Sequence, residues 1–388
     1  MTAAATALVC REIRLRQFRN FEGLELRLPP AGVAIIGDNG SGKTNLLEAI
    51  HYLEIFRSFR GASDEQLVRF GAGACHIRGR FEDRASGREI EITAAYEPRT
   101  RRKRVTIDGL EAERLGDAIG RLGTVIFSPS DVDIVAGGPG ERRRFLDIVL
   151  SLNVRGYLEA LQRYRQVLRQ RNALLREGAG GAALPAWDAA LIEHGTVVIA
   201  ARAAWLRGRA ARYAELYRAI GGGAAASMAY HSDVPLDAEA AGHDAIARSF
   251  EQRLQRVALR EGERGVTLAG PHRDDLSLLL ETAAGTVDLR QFGSGGQMRT
   301  GAIALRMIEA ETVTEARGFQ PLLLLDDVFA ELDAGRSRRI LELLAGERHG
   351  QVILTAPKES DVLLDVADMS ALVAPLSRWR IAAGTVSP

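Results

Sequence analysis

Two apolar runs along the chain have the pattern of strands that are buried on both faces. GVAII occupies positions 32–36, and four consecutive leucines occupy positions 322–325. Neither run alternates with polar residues, which is typical of central strands in a parallel sheet covered on both sides. The segment NLLEAIHYLEIF at positions 45–56 carries apolar residues at helical spacing. A strand, a short loop and a helix in this order predict a protein of the α/β class.

Two longer amphipathic segments in the middle of the chain predict an antiparallel helix pair. The first spans positions 153–177 and the second about 187–220, with GAGGAALP between them. At about 1.5 Å per residue the longer helix spans only about 50 Å, far less than a chromosome-tethering coiled coil. The apolar stripes therefore predict packing within a helical lobe. Their residues are Tyr157, Leu161, Tyr164, Leu168 and Leu175 in the first helix and Trp187, Leu191, Val198, Trp205 and Tyr213 in the second.

Composition and charge narrow the class of protein. The chain has 388 residues, of which 46% are hydrophobic, enough for one large or two moderate domains. Its formal net charge is +1, so any attraction to nucleic acid depends on local patches. Cys10 and Cys75 are too few for a disulfide framework, which predicts a reducing, cytoplasmic setting. No stretch approaches the roughly eighteen apolar residues of a membrane span, and we expect no membrane association and no secretion signal.

The run at positions 32–36 leads into GDNGSGKTN, which contains the pattern G-x-x-x-x-G-K-[ST] of a phosphate-binding loop. A shuffled chain of this composition would contain that pattern about 0.003 times, so chance is a poor explanation. The glycines let successive backbone N–H groups curl around phosphates, and the helix N-terminus adds its dipole. We expect Lys43 to lie along the β- and γ-phosphates of ATP and the Thr44 hydroxyl to bind Mg²⁺. The predicted nucleotide-binding residues are Gly37, Asp38, Asn39, Gly40, Ser41, Gly42, Lys43, Thr44 and Asn45.

The leucine run at positions 322–325 ends in two aspartates, which supply the acidic half of such a site. Asp326 is predicted to hold Mg²⁺ through water, and Asp327 to orient or deprotonate the attacking water. Lys43, Asp326 and Asp327 are therefore the predicted catalytic residues. The alternative interpretation of this segment alone is a strand that ends in a solvated acidic turn.

A third motif, FGSGGQMRT at positions 292–300, precedes a helical pattern and the acidic strand. A glycine-rich turn that opens a helix is a possible anion site, although alone it is equally typical of an ordinary helix start. The order of P-loop, long insertion, S-G-G-Q, strand with two aspartates and E-L-D resembles the ATP-binding-cassette ATPases. That resemblance implies that the signature of one subunit closes over the ATP held by another. The implied residues in trans are Ser294, Gly295, Gly296, Gln297 and Asp333.

Two differences from the pattern of transporter ATPases argue against a transporter subunit, and five segments resemble the RecF family instead. Thr355 and Ala356 stand where transporters have a switch histidine, and VIFSPSDVD lacks their lobe-junction glutamine. Gly295 departs from the RecF pattern, which more often has glutamine there. The segments that carry the resemblance are LRQFRNFE (15–22), GDNGSGKTN (37–45), VIFSPSDVDIVAGGPGERRRFLD (125–147), GPHRDDL (270–276) and the pair FGSGGQMRT and LLLLDDVFAELD.

The RecF resemblance implies an ABC-type P-loop ATPase head, with a mixed sheet around the P-loop helix and an inserted helical lobe. The predicted divisions are 1–128 for the first part of the ATPase lobe, 129–319 for the helical lobe and 320–388 for the remainder. The resemblance further implies slow ATP hydrolysis, ATP-dependent homodimerisation and binding of double-stranded DNA near gaps. It implies RecR and RecO as partners in directing RecA assembly. Arg19 and Asn20 become candidates for nucleotide contact, with a charged turn as the alternative.

Three basic clusters are candidates for DNA contact. The densest is PRTRRKRV, interpreted as a hairpin that ends at IDG, and an ordinary charge-protected edge strand explains it equally well. FRSFRG and the arginines 142–144 are the others, and the latter have an alternative role as a clamp between the two lobes. In GPHRDDL, the residues His272, Asp274 and Asp275 lack a closed metal-ligand set, so lobe docking or communication with the nucleotide is favoured over metal binding. The predicted DNA-binding residues are Arg99, Arg101, Arg102, Lys103, Arg104, Arg57 and Arg60.

Two other classes of function stay open on the residues alone. A P-loop small-molecule kinase or other phosphotransferase would need an acceptor pocket and a lid, and it gives no reason for S-G-G-Q before the acidic strand. A non-hydrolytic chromosome-binding structural protein would not need a complete set of hydrolytic residues.

Overall fold

The computed structural model describes residues 7–84, 86–178, 180–236, 242–329, 332–346, 350–358, 376–382 and 384–387. These residues form two compact units. Unit 1 comprises Met1–Asp131 and Leu305–Pro388, and unit 2 comprises Val132–Ala304. The predicted divisions were at 128/129 and 319/320. The compact units divide instead at 131/132 and 304/305, and the second division falls inside the helix Gly295–Arg317.

Fifteen strands lie in the described part of the chain. They are β1 (Leu8–Phe18), β2 (Phe21–Arg27), β3 (Gly32–Ile36), β4 (Cys75–Asp83), β5 (Glu89–Glu97), β6 (Arg102–Ile107), β7 (Leu110–Glu111), β8 (Thr124–Phe127), β9 (Ala226–His231), β10 (Asp275–Thr282), β11 (Gly285–Asp288), β12 (Leu322–Asp326), β13 (Val352–Ala356), β14 (Ser377–Ala382) and β15 (Thr385–Ser387).

Eleven α-helices are described, together with 3₁₀ turns at Pro129–Asp131 and Pro271–Arg273. They are α1 (Lys43–Ile55), α2 (Asp64–Leu67), α3 (Leu115–Ala118), α4 (Val132–Ala136), α5 (Pro139–Asn153), α6 (Tyr157–Arg176), α7 (Gly180–Gly221), α8 (His243–Arg264), α9 (Leu289–Phe292), α10 (Gly295–Arg317) and α11 (Ala334–Gly346).

Unit 1 contains a mixed sheet in the order β15-β14-β3-β13-β12-β8. The five strands from β14 to β8 are parallel, and β15 joins the edge antiparallel to β14. Strands β12 and β13 are buried at every residue, which explains their uninterrupted apolar sequences. Because these strands are parallel, the carboxyl ends of β3, β13 and β12 lie next to one another at one edge of the sheet. The prediction of a mixed sheet is confirmed.

A second sheet in unit 1 is antiparallel, with the order β2-β1-β4-β5-β6-β7. Residues of both sheets and of α1 belong to one hydrophobic core. Helix α1 is therefore buried around most of its surface, and Leu46, Leu47, Ile50 and Leu53 are fully buried. This packing fixes the helix whose first turn carries Lys43 and Thr44.

Unit 2 consists of helices around a three-stranded antiparallel sheet in the order β11-β10-β9. Helix α7 begins at Gly180, so most of the predicted separator GAGGAALP is helical, and Pro185 lies inside the helix. That prediction was wrong because the alanines and leucine of the segment are strong helix formers. With 42 residues, α7 is about 63 Å long rather than about 50 Å.

Helix α7 also contains an apolar window, within residues 183–221, with a mean hydropathy of 1.3. By length and composition alone, this helix is sufficient to cross a membrane. One such helix is weak evidence, since core helices of globular proteins meet the same criterion. Leu191, Val198 and Ile199 are fully buried, and the buried Arg202 forms ion pairs with Asp147 and other residues of unit 2. The helix is therefore a central packing element of its unit.

Candidate nucleotide-binding site

The glycine loop connects β3 to α1 and lies at the carboxyl edge of the parallel sheet. Gly40 and Gly42 have φ angles of +83° and +114°, a region that favours glycine. A Cβ at Gly37 would lie 2.3 Å from the Ile381 carbonyl oxygen, and one at Gly42 would lie 2.5 Å from Asn20 Nδ2. These glycines are thus required by the packing of the loop as well as by its path.

Lys43 is 3% exposed in its side chain and turns back over the loop that precedes it. Its Nζ donates to the carbonyl oxygens of Gly37, at 2.6 Å, and Asp38, at 3.2 Å. The same atom lies 3.8 Å from Asp327 Oδ2. The ammonium group is therefore held at the centre of the loop, next to the acidic edge of the sheet.

Thr44 and Asp326 meet across the edge of the sheet. The Thr44 hydroxyl donates to Asp326 Oδ1 at 2.9 Å, and the Thr355 hydroxyl lies 3.0 Å from the same oxygen. Burial raises the pKa of Asp326 to about 6, and the hydrogen bonds from the two threonines oppose this shift. A hydroxyl and a carboxylate at one point are hard oxygen donors, the type that Mg²⁺ prefers. The residues present thus fit a magnesium ion.

Asp327 has an unusual backbone conformation. Its φ is +46°, which is rare for a residue other than glycine and marks local strain. Its N–H donates to Thr355 Oγ1 at 3.0 Å, which holds this conformation. The carboxylate is 22% exposed and faces Lys43. Strand β13 therefore positions both carboxylates through Thr355.

The two predicted nucleotide contacts in the β1–β2 turn have different surroundings. Asn20 Nδ2 donates to the Ser41 carbonyl oxygen at 3.1 Å, and Asn45 Nδ2 donates to Asn20 Oδ1 at 2.8 Å. Asn20 thus stabilises the P-loop through hydrogen bonds with Ser41 and Asn45. The Arg19 guanidinium is held by Glu48 through two hydrogen bonds of 2.8 and 2.9 Å. The Arg19 side chain is therefore bound to Glu48 of helix α1, which follows the P-loop.

Arg60, predicted as a DNA contact, lies beside the nucleotide loop. Its Nη1 is 3.4 Å from Asn45 Oδ1, and its charge favours the ionised form of Asp326. Its N–H donates to the Ser58 hydroxyl, which in turn donates to Glu48. The structure thus associates Arg60 with the phosphate-binding end of α1, and both Arg57 and Arg60 are exposed.

The signature motif opens α10. The Ser294 N–H donates to Gln297 Oε1 at 2.8 Å, and the Gln297 N–H donates to Ser294 Oγ at 3.3 Å. This reciprocal pair is a capping box, which satisfies N–H groups at the helix start. Ser294 and Gly295 are exposed, and Gly296 is half-buried. Asp333 plays a comparable role at the start of α11, where its Oδ1 accepts from the Arg336 N–H at 2.9 Å.

The basic hairpin has the predicted form, with β5 and β6 joined by a turn at residues 98–101. Arg102 and Arg104 are exposed and both pair with Glu111, at 3.7 and 2.8 Å. Lys103 points to the opposite face, where its Nζ lies 2.7 Å from Asp64 Oδ2 and donates to the Phe56 carbonyl oxygen. Lys103 is thus separated from Arg102 and Arg104, because alternate residues of a strand face opposite sides.

Arg99 and Arg101 lie in the exposed turn of this hairpin. No hydrogen bond or ion pair of their side chains is found among the described residues. They are the members of the cluster most available to a ligand.

The motif GPHRDDL is part of the interior of unit 2. Asp275 receives two hydrogen bonds from Arg142, of 2.7 and 2.9 Å, and Asp274 accepts from Arg202 and Tyr230. His272 Nδ1 is 2.6 Å from the Tyr164 hydroxyl. All of these residues belong to unit 2, so these contacts of Arg142 are internal to that unit, and a role of residues 142–144 as a clamp between the lobes stays a prediction. Within the described residues, no group of three or more potential ligands is arranged to hold a metal ion.

Sequence reasoning missed three side chains that contact predicted site residues. Thr355 was noted only as the place of an absent histidine, although its position at the end of a buried strand was a usable signal. Glu48 and Ser58 gave no signal, since a single carboxylate or hydroxyl in a helix or loop is ordinary. Glu48 is noted here because it accepts from Arg19, 29 residues away, and Ser58 because its hydroxyl links the Arg60 N–H to Glu48.

Comparison with known proteins identifies the family. Residues 9–373 match the family described as RecF/RecN/SMC N terminal domain. The chain is 36% identical over 357 residues to the DNA replication and repair protein RecF of Salinibacter ruber, covering 90% of this chain and 85% of the relative. It is 38% identical over 344 residues to that of Moorella thermoacetica, covering 88% of each.

Solved structures agree with the sequence relatives. A structure of the recombination mediator protein RecF with ATP in the RecFOR pathway has a TM-score of 0.86 at 30% identity, covering 98% of this chain and 99% of that one. An Smc head domain from Pyrococcus furiosus, bound to the C-terminal domain of ScpA, has a TM-score of 0.56 at 16% identity, covering 98% and 95%, and shares the fold. The predicted resemblance is thus confirmed, and the chain belongs to the RecF family.

Proposed function

We propose that this chain is an ATP-dependent DNA-binding protein of replication and repair, in which ATP and Mg²⁺ join two copies on double-stranded DNA. The hydrogen bond between Thr44 and Asp326 carries the nucleotide part of this proposal. It brings together the two oxygen donors that a P-loop ATPase requires, from positions 282 residues apart. The similarity to a RecF structure with ATP supports ATP as the nucleotide.

The residues of the site have separate roles in the proposed hydrolysis of ATP. Lys43 binds the β- and γ-phosphates, and its charge favours the electron-rich transition state. Asp327 orients the attacking water and accepts its proton. Bound at Thr44 and Asp326, Mg²⁺ would supply further neutralisation of the phosphate charge. An aspartate reaches less far than the glutamate usual in transporters, so we expect slow hydrolysis and a switch-like use of ATP.

The proposed dimer uses the exposed start of α10. Ser294, Gly295, Gly296 and Gln297 of one copy close over the ATP held by the P-loop of the other, with Asp333 at the same interface. The exposure of Ser294 and Gly295 supports this assignment, as does Phe292, whose side chain is 67% exposed immediately before the motif. An apolar ring at a surface is typical of a contact with another molecule.

The proposed DNA contacts begin with the arginines of the β5–β6 hairpin, namely Arg99, Arg101, Arg102 and Arg104, and include Arg57. Cations of this kind displace counterions from DNA phosphates without reading sequence. With gapped DNA as the target, we propose RecR and RecO as partners and RecA assembly as the outcome, in the cytoplasm. The related RecF structure belongs to the RecFOR pathway, which supports RecR and RecO as partners.

Measurement of mass in solution tests the proposal. Light scattering with Mg²⁺ and either ATP, ADP or no nucleotide, with and without duplex DNA, should give a dimer only with ATP. Monomers under all six conditions would contradict the proposal. A small-molecule phosphotransferase would instead stay monomeric with ATP and transfer phosphate to an acceptor.

A further inference from the structure

A cleft of about 270 Å³ in unit 2 is lined by an unusual number of arginines. It lies among the start of α5, the middle of α6 and α7, and the turn at Pro271–Arg273. Its volume is several times the roughly 30 Å³ of one water molecule in the liquid. We call it the arginine cleft, and its charged lining consists of Arg143, Arg144, Arg165, Arg202 and Asp147.

The positive charge of the arginine cleft is only partly compensated. Asp147 is the single carboxylate in the lining, and it is shared by Arg165, at 2.7 Å, and Arg202, at 2.8 Å. The lining has four guanidinium groups and one carboxylate, and Asp274, which also pairs with Arg202, supplies a second negative charge, so two positive charges remain in excess. His272 also lines the cleft, but burial lowers the pKa of its imidazole to about 4, so it is neutral at pH 7.

The hydrogen-bond donors of three arginines are largely unused. Arg202 is fully engaged, with bonds to Asp147, Asp274 and the Pro271 carbonyl oxygen. Arg165 uses Nη2 on Asp147, and Arg143 uses Nη1 on the Asp274 carbonyl oxygen. Arg144 has no hydrogen-bond or ion-pair partner among the described residues. Since each guanidinium has five N–H donors, several remain for a ligand.

The start of α5 adds to this environment. Gly140 is the second residue of this 15-residue helix and lines the cleft. Nothing lies within 4 Å of the position where its Cβ would be, so the helix start is open. A helix N-terminus carries partial positive charge and free N–H groups. Burial, and then the charge of Arg202, lower the pKa of Arg143, while the nearby carboxylates oppose this shift.

We propose that the arginine cleft binds a phosphate group, either of a nucleic-acid backbone or of a free phosphate compound. Planar guanidinium forks match phosphate oxygens in pairs, and three of them offer more donors than the two oxygens of a carboxylate accept. The DNA version of this assignment rests on the proposed function, whereas the free-phosphate version does not. The cleft is separate from the P-loop, whose residues belong to unit 1.

Two substitutions test the cleft without disturbing the packing. Arg144→Gln removes an exposed and unpartnered cation. Gly140→Asp places a carboxylate at the cleft, in a helix position where acidic residues stabilise the helix, so its folding should be preserved. The matched controls are Gly140→Asn, which adds similar bulk without charge, and Arg163→Gln, which removes an exposed cation of α6 that does not line the cleft.

The first measurement is binding of duplex DNA with Mg²⁺ and a non-hydrolysable ATP analogue. We expect Arg144→Gln and Gly140→Asp to weaken binding at least about fivefold, and the slope of log K against log salt to fall by about 0.9 for each DNA phosphate that the variant no longer binds. The controls should bind like the wild type. The second measurement is calorimetric titration with pyrophosphate under the same conditions, where the P-loop is already filled.

The two measurements distinguish the sources of phosphate. An effect on DNA alone assigns the cleft to the DNA backbone, and a loss of pyrophosphate binding alone assigns it to a free phosphate compound. Equal behaviour of both variants and their controls in both measurements would overturn the proposal. If the wild type does not bind DNA, the proposed function fails, and the pyrophosphate titration still decides the role of the cleft.

Discussion

The Thr44 hydroxyl donates a hydrogen bond of 2.9 Å to Asp326 Oδ1 and so joins the first turn of α1 to the end of β12. Thr44 lies in the P-loop motif that follows β3, and Asp326 is the last residue of β12. In the sheet, β13 lies between β3 and β12. The same carboxylate oxygen lies 3.0 Å from the Thr355 hydroxyl of β13. Three neighbouring strands thus converge on the point where the proposed magnesium ion is held.

Replacement of Thr44 tests this convergence. We expect Thr44→Val to weaken Mg²⁺-dependent ATP binding by at least about tenfold, because one metal ligand is removed and Asp326 loses a hydrogen bond. Thr44→Ser keeps the hydroxyl and should retain affinity close to the wild type. Titration with a fluorescent ATP analogue, with and without Mg²⁺, measures both. Equal affinities of the valine and serine variants would remove Thr44 from the metal site.

Asp327 and Asp326 should differ in their effects when each is replaced by asparagine. Asp327→Asn should lower the hydrolysis rate about 10²- to 10⁴-fold, the usual contribution of a general base, while ATP-dependent dimerisation persists. Asp326→Asn should weaken both Mg²⁺ binding and dimerisation. Phosphate release and light scattering on the same samples separate the two roles. Normal hydrolysis by Asp327→Asn would show that another group orients the water.

The buried carboxyl of Glu54 predicts a pH dependence of stability. Burial raises its pKa from an ordinary 4.5 to about 7, even though it accepts hydrogen bonds from the N–H groups of Leu122 and Gly123. A raised pKa in the folded state means that this group favours folding fully below pH 4.5, and that the contribution is lost as pH rises through about 7. The difference between these two pKa values corresponds to about 3 kcal/mol.

Glu54→Gln removes this titration. The difference in free energy of unfolding between Glu54→Gln and the wild type should move in favour of the variant by about 3 kcal/mol between pH 4.5 and pH 8. Urea denaturation across that range measures the difference. A constant difference at all pH values would indicate that Glu54 has the same pKa in the folded and unfolded chains.

The hairpin arginines are expected to contribute to DNA binding by charge. Arg99→Glu with Arg101→Glu should weaken binding of duplex DNA at low salt and flatten its salt dependence, since fewer phosphate contacts form. ATP binding should be unchanged. Arg88→Glu, an exposed position before β5 and away from the hairpin turn, serves as the control. Equal salt slopes for all three proteins would exclude this hairpin from the DNA interface.

Lys103 should behave differently from its neighbours. Its ion pair with Asp64 and its contact with the Tyr52 ring, 5.3 Å from the centroid, are internal. We expect Lys103→Ala to lower the melting temperature by a few degrees and to leave the salt slope of DNA binding unchanged. A lowered salt slope of DNA binding with an unchanged melting temperature would show that Lys103 contacts DNA.

Local patterns predicted the parts of the fold that depend on neighbouring residues. The runs at β3 and β12, the glycine loop and α1 each carry their own signal, because burial on both faces and phosphate binding restrict residue types strongly. The role of Thr355 depends on β13 lying between β3 and β12. The order of strands in a sheet cannot be predicted from any one local segment of the sequence. The same reason explains why the contacts of Arg19 with Glu48 were not predicted.

Other differences between the predictions and the structure could have been predicted from the sequence. The alternation of strand residues already separates Lys103 from Arg102 and Arg104. The continuous helical pattern from Gly295 to Arg317 shows that a boundary between compact units can fall inside a helix. The start of α7 carried a similar signal, since the alanines and leucine between positions 180 and 185 are strong helix formers.

Mixing two inactive variants tests the shared ATP site most directly. Lys43→Ala lacks a working P-loop, and Ser294→Arg blocks the signature. A heterodimer of the two contains one intact site, made from the P-loop of one copy and the signature of the other. If the copies mix randomly, half of the dimers are heterodimers with one of two sites working, so ATP hydrolysis should return to about a quarter of the wild-type rate. Wild-type activity of Ser294→Arg alone, or hydrolysis by a species that stays monomeric, would contradict the account.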